Sequence, residues 1–242
     1  MDHSVKAMTS RRLMSRLLNP HRFENDELEQ LYQRYICKLQ HSSVAAVVAL
    51  FVVLTFLLAN LGLAYAQAAT AQNVYHAAHC LLFALLLGFL HTRFMQDAYL
   101  LWVCYVVLFF LATFCALALP LYPTSSAAKV AAEGTWQVVF VVFLAYAMMP
   151  LKSYVAAIFG FVLCTAHMAV AAVFSTEFHD LKWQQLIANV VIFLCVNVVG
   201  VFMHNLMEHA QRKAFLDTRN CIAARLEMED ENEKLVHILK ND

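Results

Sequence analysis

Three features of the sequence predict an all-α membrane protein with six transmembrane helices, a cytosolic N-terminal helix and a C-terminal helical coiled-coil stalk. Of the 242 residues, 62% are hydrophobic and only 14% charged, against about half and about a quarter in an ordinary soluble domain. The apolar excess is gathered into runs near 43–65, 74–91, 98–119, 132–150, 153–174 and 184–204. Each is close to the ~20 helical residues that cross a hydrocarbon core. The last run passes, with no Gly or Pro after Gly200, into a stretch rich in Ala, Leu, Glu, Arg and Lys, the residues that lose least on entering a helix. The chain therefore divides into a cytosolic segment with an amphipathic helix (1–42), a six-helix membrane domain (43–204) and a cytosolic helical stalk (205–242).

Residues 1–23 mix Ser, Arg, Met and His with Pro20 and read as a tail, without the apolar core of a signal peptide. Residues 24–40 read as a helix, with Asp26 and Glu29 spaced as a capping box. Leu28, Tyr32, Tyr35 and Leu39 share one face, with Leu31 and Ile36 beside it. Such a face has two resting places, the lipid headgroups or another cytosolic element. In the membrane domain, Pro120 and Pro123 close the third segment and Pro150 ends the fourth. The second and fourth segments are marginal in apolar length. Short connections make the segments antiparallel neighbours.

Orientation follows from Lys and Arg. With an inner N-terminus and six crossings, fifteen of the seventeen fall inside: seven in 1–42, six in 204–242, and Arg93 and Lys152 between. Only Lys129 and Lys182 fall outside. That bias predicts two cytosolic termini. Trp136, Trp183, Tyr65, Tyr75 and Tyr122 then lie near outer ends, and Trp102 and Tyr154 near inner ends, as an aromatic belt would. With zero net charge, nothing points to nucleic acid. Of the seven cysteines only Cys80 lies near the outer face, which leaves no outer disulfide pair, and the set reads as small buried hydrophobes.

No Asp, Glu, Lys or Arg lies in the middle of a segment, which argues against a pump, a voltage sensor or a charge-coupled transporter. His167 is the titratable ring well inside the membrane, either a ligand or proton site or, more commonly, a hydrogen bond to a neighbouring helix. Asn189 and Asn197, with Gly200, form a polar seam on the sixth segment that suits interhelical contact. His76, His79 and Cys80 have metal-ligating side chains, but no second cluster completes a coordination shell. There is no Gly-rich phosphate loop, nucleophile elbow or zinc-protease motif.

In the stalk, Phe215, Ile222, Leu226 and Val236 form a partial apolar stripe, with Asn232 and Leu239 at its edge and charges elsewhere. This is the pattern of a short coiled coil that needs a partner. Residues 211–219 (QRKAFLDTR), Ile222, 224–226 (ARL) and 229–232 (EDEN) resemble the segment that leaves the sixth membrane helix of membrane-bound adenylyl cyclases. Residues 23–35 (FENDELEQLYQRY) resemble the corresponding pre-membrane segment of the calcium/calmodulin-responsive, Rutabaga-like branch, and residues 148–151 (MMPL) resemble a short turn signature of that membrane domain.

The resemblance implies the N-terminal membrane and coupling part of an enzyme that converts ATP to cyclic AMP and pyrophosphate at the plasma membrane. Its signal-coupling residues are expected to be Arg212, Lys213, Phe215, Leu216, Arg219, Ile222, Arg225 and Leu226. It further implies the bilayer and the second membrane half and stalk as partners, with calmodulin and G-protein subunits acting through catalytic domains. No cofactor is expected in this chain, since ATP with Mg or Mn belongs to those domains. The catalytic aspartates, Arg and Asn of the family have no counterpart in these 242 residues. After Leu235 the wording departs from the family, as expected of a fragment, a splice product or a truncated gene model. The competing class is a self-contained six-helix receptor or transporter with a coiled-coil output.

Overall fold

Helices make up every regular element of the computed structural model, which describes residues 23, 25–65, 71–92, 99–117, 131–175 and 179–241. They are α1 (Asp26–Tyr65), α2 (Ala71–Leu90), α3 (Leu100–Leu117), α4 (Thr135–Ala147), α5 (Ser153–Phe174) and α6 (His179–Asn241). The tail before Phe23, Arg93, Pro120, Tyr122, Pro123 and Lys129 lie outside the described residues.

The helix expected over 24–40 and the first apolar segment are one element. No Gly or Pro stands between Asp26 and Leu61, so nothing interrupts the backbone ladder across Ser42 and Ser43. The cap differs from the sequence reading. Asn25, not Asp26, caps α1: its Oδ1 accepts the Glu27 N–H at 2.9 Å and its carbonyl accepts the Glu29 N–H at 3.0 Å. Asp26 is the first helical residue, and Glu29 is one position too late for a capping box. Likewise α6 runs unbroken through its 63 residues.

Among the described residues four helices are long and apolar enough to cross a membrane: Asp26–Tyr65, Asn73–Leu90, Ser153–Phe174 and Leu181–Ile238. The second segment, marginal in sequence, meets the length with 18 residues. Leu100–Ala116 and Thr135–Ala147 are shorter apolar helices, so the third segment joins the fourth as a short one among the described residues. Pro150 does close α4: Met148 N–H still bonds the Leu144 carbonyl at 2.9 Å, and Leu151 N–H turns back to Met149 at 2.8 Å.

The described residues form two compact units, one from 37–205 and one from 1–36 with 206–242. The core of the 37–205 unit centres on Phe51, whose ring meets Phe83 at 5.4 Å, Phe114 at 5.5 Å and Phe140 at 6.0 Å, within the range of favourable aromatic pairs. Of the thirteen residues of α4, Val138, Val141, Val142, Leu144, Ala145 and Tyr146 are buried. Other helices of this unit turn large apolar side chains outward, among them Leu85, Phe109, Phe161, Leu194 and Phe202. A soluble monomer rarely tolerates that much contiguous apolar surface, whereas hydrocarbon covers it without cost. The cysteines do not share one environment: Cys104, Cys115 and Cys164 are buried as expected, while Cys195 and Cys221 are exposed.

Candidate functional site

Two polar centres stand out, one in each unit. The first serves α4. A helix of thirteen residues is about 20 Å long, so its ends fall short of a full crossing. In hydrocarbon every backbone polar group needs an internal partner. The turn leading into α4 contains Gly134 at φ 81°, a left-handed conformation that glycine adopts without a Cβ clash. Three side chains hold this turn. Asn189 Nδ2 donates to the Ala131 carbonyl at 2.9 Å, and its Oδ1 accepts the Thr135 hydroxyl at 3.2 Å. Gln185 Oε1 accepts the Ala132 N–H at 3.1 Å. His167 Nε2 lies 2.9 Å from the Glu133 carbonyl. A carbonyl only accepts, so this nitrogen carries the ring's proton.

The other end of α4 is held in the same way. Tyr146 donates its hydroxyl to Asn197 Oδ1 at 3.0 Å, and His204 Nδ1 donates to the Tyr146 carbonyl at 2.9 Å. Asn197 Nδ2 turns to the Phe193 carbonyl at 2.8 Å and to Cys164 Sγ at 3.5 Å. The Tyr146 ring lies against Gly200, where a Cβ would come within 2.2 Å of a ring carbon. Glycine is required there for close approach of the ring. The three polar intramembrane residues singled out in the sequence thus converge on one short helix.

His79 and Cys80 are engaged elsewhere. His79 Nε2 lies 3.1 Å from Thr113 Oγ1 and 3.2 Å from the Tyr75 hydroxyl, and Cys80 Sγ lies 3.6 Å from the Val52 carbonyl. Among the described residues no group of three His, Cys, Asp or Glu is placed to hold a metal ion.

The second centre is a charged knot in the unit built from the two ends of the chain. Arg212 Nη1 donates to Glu29 Oε2 at 2.9 Å, and its Nη2 and Nε donate to Glu208 Oε1 at 3.2 and 3.3 Å. Glu29 also accepts the Gln33 amide at 2.8 Å and the Phe23 backbone N–H at 3.1 Å. The Arg212 side chain is only 8% exposed and that of Glu29 12%. Two aromatic faces cover the guanidinium, Tyr32 at 4.5 Å and Phe23 at 5.2 Å from its carbon. Phe215 seats against Tyr32 and Tyr35 at 5.5 and 5.4 Å, with Ile36, Leu28 and Leu216 around it.

The planar guanidinium suits this place, because it forks between carboxylates and stacks on rings at the same time. Burial alone pushes the Glu29 carboxyl up. Hydrogen bonds from Arg212, Gln33 and Phe23 and the Arg212 charge more than offset that, and hold it below the ordinary carboxylate value. Burial opposes the Arg212 charge, but Glu29 more than restores it and raises its pKa. Burial pushes the Tyr32 phenol up to about 12, so it stays neutral.

Of the stalk residues picked from the sequence, Arg212 and Phe215 lie inside the knot and Leu216 at its edge. Lys213, Arg219, Ile222, Arg225 and Leu226 are exposed, with Arg225 paired to Glu229 along the helix at 3.1 Å. The stripe therefore splits: Phe215 is covered, while Ile222, Leu226 and Val236 are open. On α1 the buried face is Glu29, Tyr32 and Ile36, while Leu39 and Tyr35 of the expected face are exposed. Sequence reading missed Glu29 as Arg212's partner. The two are 183 positions apart, and the visible hint was a charge beside an aromatic on each helix, Glu29 with Tyr32 and Arg212 with Phe215.

Apolar helices with lipid-compatible surfaces, polar side chains spent on backbone partners, and a helical extension define a multi-helix membrane protein. Residues 4–241 match the family model of the adenylyl cyclase N-terminal extracellular and transmembrane region, and the chain belongs to that family.

Proposed function

We propose that this chain anchors an adenylyl cyclase in the plasma membrane and couples its membrane region to cyclic AMP output. The family match over residues 4–241 carries this reading. In it the six apolar helices make six crossings, both termini are cytosolic, and α6 leaves the membrane as the stalk towards a catalytic domain. The wording of residues 23–35 supports the calcium/calmodulin-responsive, Rutabaga-like branch. The second membrane half and its stalk are the partners. Calmodulin and G-protein subunits act through catalytic domains, which also use ATP with Mg or Mn. These 242 residues hold none of the catalytic groups, so alone they are expected to be silent.

The continuity of α6 supports the coupling role, because a rod passes on rotation or shift only while unbroken. Residues 206–226 contain neither Gly nor Pro. In a cyclase carrying this stalk, Ala223→Pro removes a helix hydrogen bond and costs about 3 kcal/mol locally. Membrane insertion is expected to be unchanged, while stimulated cyclic AMP falls or uncouples from stimulus. Glu227→Gln serves as the mild control. If both variants match the parent in basal and stimulated output, the stalk is a passive tether. Protease access to tags at residues 1 and 242 in intact cells tests the topology: cleavage of either excludes two cytosolic termini.

A further inference from the structure

Beyond α4 and the exposed stalk stripe, the knot is the feature that anchoring does not use. A tether needs no buried ion pair. Replacing such a pair by apolar residues is often neutral or stabilising, so stability alone is a weak account of Arg212. The geometry around it has the parts of a two-position device. Arg212 holds two carboxylates from different sources: Glu208 on its own helix, four residues earlier, and Glu29 on α1. If α1 withdraws, Glu208 stays with Arg212, so the guanidinium is never left without a counter-charge. Glu29 in turn keeps Gln33, its neighbour on α1. Each side of the contact thus carries its own reserve partner. That lowers the cost of opening relative to a pair whose members depend on each other alone.

The aromatic layer gives the closed position its register. Phe215 is three residues beyond Arg212 and lies among Phe23, Tyr32 and Tyr35. A rotation of this stretch of α6 carries Arg212 away from Glu29 and Phe215 out of its ring pocket together. Charge and ring contacts therefore select one rotational setting. On these grounds we infer that the Glu29–Arg212 knot is a releasable latch, by which the N-terminal turns of α1 hold the base of the stalk in one register. Glu29 and Arg212 are positioning residues for signal output. The inference rests on the coupling role proposed for the stalk.

The test has two arms. In the 242-residue chain, spin labels at the exposed positions 34 and 213, in a background lacking Cys37, Cys80, Cys195 and Cys221, report docking by electron paramagnetic resonance. Glu29→Arg and Arg212→Glu each broaden the distance distribution, and the double exchange, Glu29→Arg with Arg212→Glu, narrows it again. Distributions unchanged by the single reversals overturn the latch, as does a double exchange no narrower than the singles.

In a cyclase carrying this region, each single reversal shifts the ratio of stimulated to basal cyclic AMP by about fivefold, the lower range of coupling between two sites. The double exchange brings the ratio back at equal surface amount. A merely structural contact would lower basal and stimulated output together, and that result overturns the proposal. If docking follows charge but the ratio does not move while Ala223→Pro still uncouples the enzyme, the latch is overturned and the coupling role stands. If Ala223→Pro is also silent, the coupling role itself fails.

Discussion

The two polar centres solve the same problem in opposite ways. Around α4 no Asp, Glu, Lys or Arg side chain takes part: two asparagines, a glutamine, two histidines and a tyrosine bond backbone groups or one another. In the terminal unit the partners are a guanidinium and two carboxylates under aromatic faces. The difference follows from the surroundings. In hydrocarbon an ionised side chain is expensive even when paired, whereas an amide costs little once bonded. Where water reaches the rim, a charged fork gains strength from partial burial and still has solvated routes apart. The neutral centre is suited to holding a short helix permanently. The charged one is suited to opening.

The largest effect is expected where packing allows no adjustment. Gly200→Leu drives a side chain into the Tyr146 ring, and overpacking of this kind costs roughly 3 kcal/mol. The variant should lose its melting transition in detergent or express poorly, and a normal Tm would show that Tyr146 has another place to go. In the charged centre, Glu29→Gln removes one of the two carboxylates that Arg212 holds and should cost about 2 kcal/mol of docking, read as a broadened label distance between positions 34 and 213.

The charged centre should respond to acid. Glu29's pKa is lowered from 4.5 in the folded state. Its contribution is therefore present above that ordinary value and is lost as pH falls through the lowered one. Arg212 is the charged group bonded to it, Glu208 shares that guanidinium, and Tyr32 stays protonated across this window. Label distances should be constant from neutral pH to about 5 and broaden below the ordinary carboxylate range. Glu29→Gln should flatten that dependence, and an acid response surviving in Glu29→Gln would overturn its assignment to Glu29.

Asn189→Leu is predicted to be milder. It removes the Asn189 amide's bonds to the Ala131 carbonyl and the Thr135 hydroxyl, at about 1 kcal/mol within a membrane bundle. A drop of a few degrees in Tm is expected, and Asn189→Asp should be worse because it places a charge in the same spot. Smallest is Leu226→Ser in the isolated chain. Leu226 is 60% exposed, so its loss should fall within about 0.5 kcal/mol. A larger loss would mean that the stripe beyond Phe215 already has a partner.

Composition and periodicity were enough for the helical class, because a run of apolar residues without Gly or Pro has few alternatives in a membrane. Residues 211–232 carried the family in their wording. His167, Asn189 and Asn197 were visible as polar groups among apolar ones, since burial in hydrocarbon makes any such group conspicuous. Their common target was not visible. That α4 is short, and that the Ala131, Glu133 and Tyr146 carbonyls take donors from other helices, depends on where α4, α5 and α6 meet. The knot lay further from view. A Tyr-bearing face on 28–39 states that something must cover it, and periodicity cannot say what. Nor does it fix the centre of that face to within one residue, which is how Glu29, Tyr32 and Ile36 came to be buried while Leu39 stayed exposed. Sequence by itself determined which segments are helical and apolar, because that is decided within a few turns of chain. Only the tertiary structure decided which polar group answers which, because Glu29 and Arg212 become neighbours through packing and not through anything local to either helix.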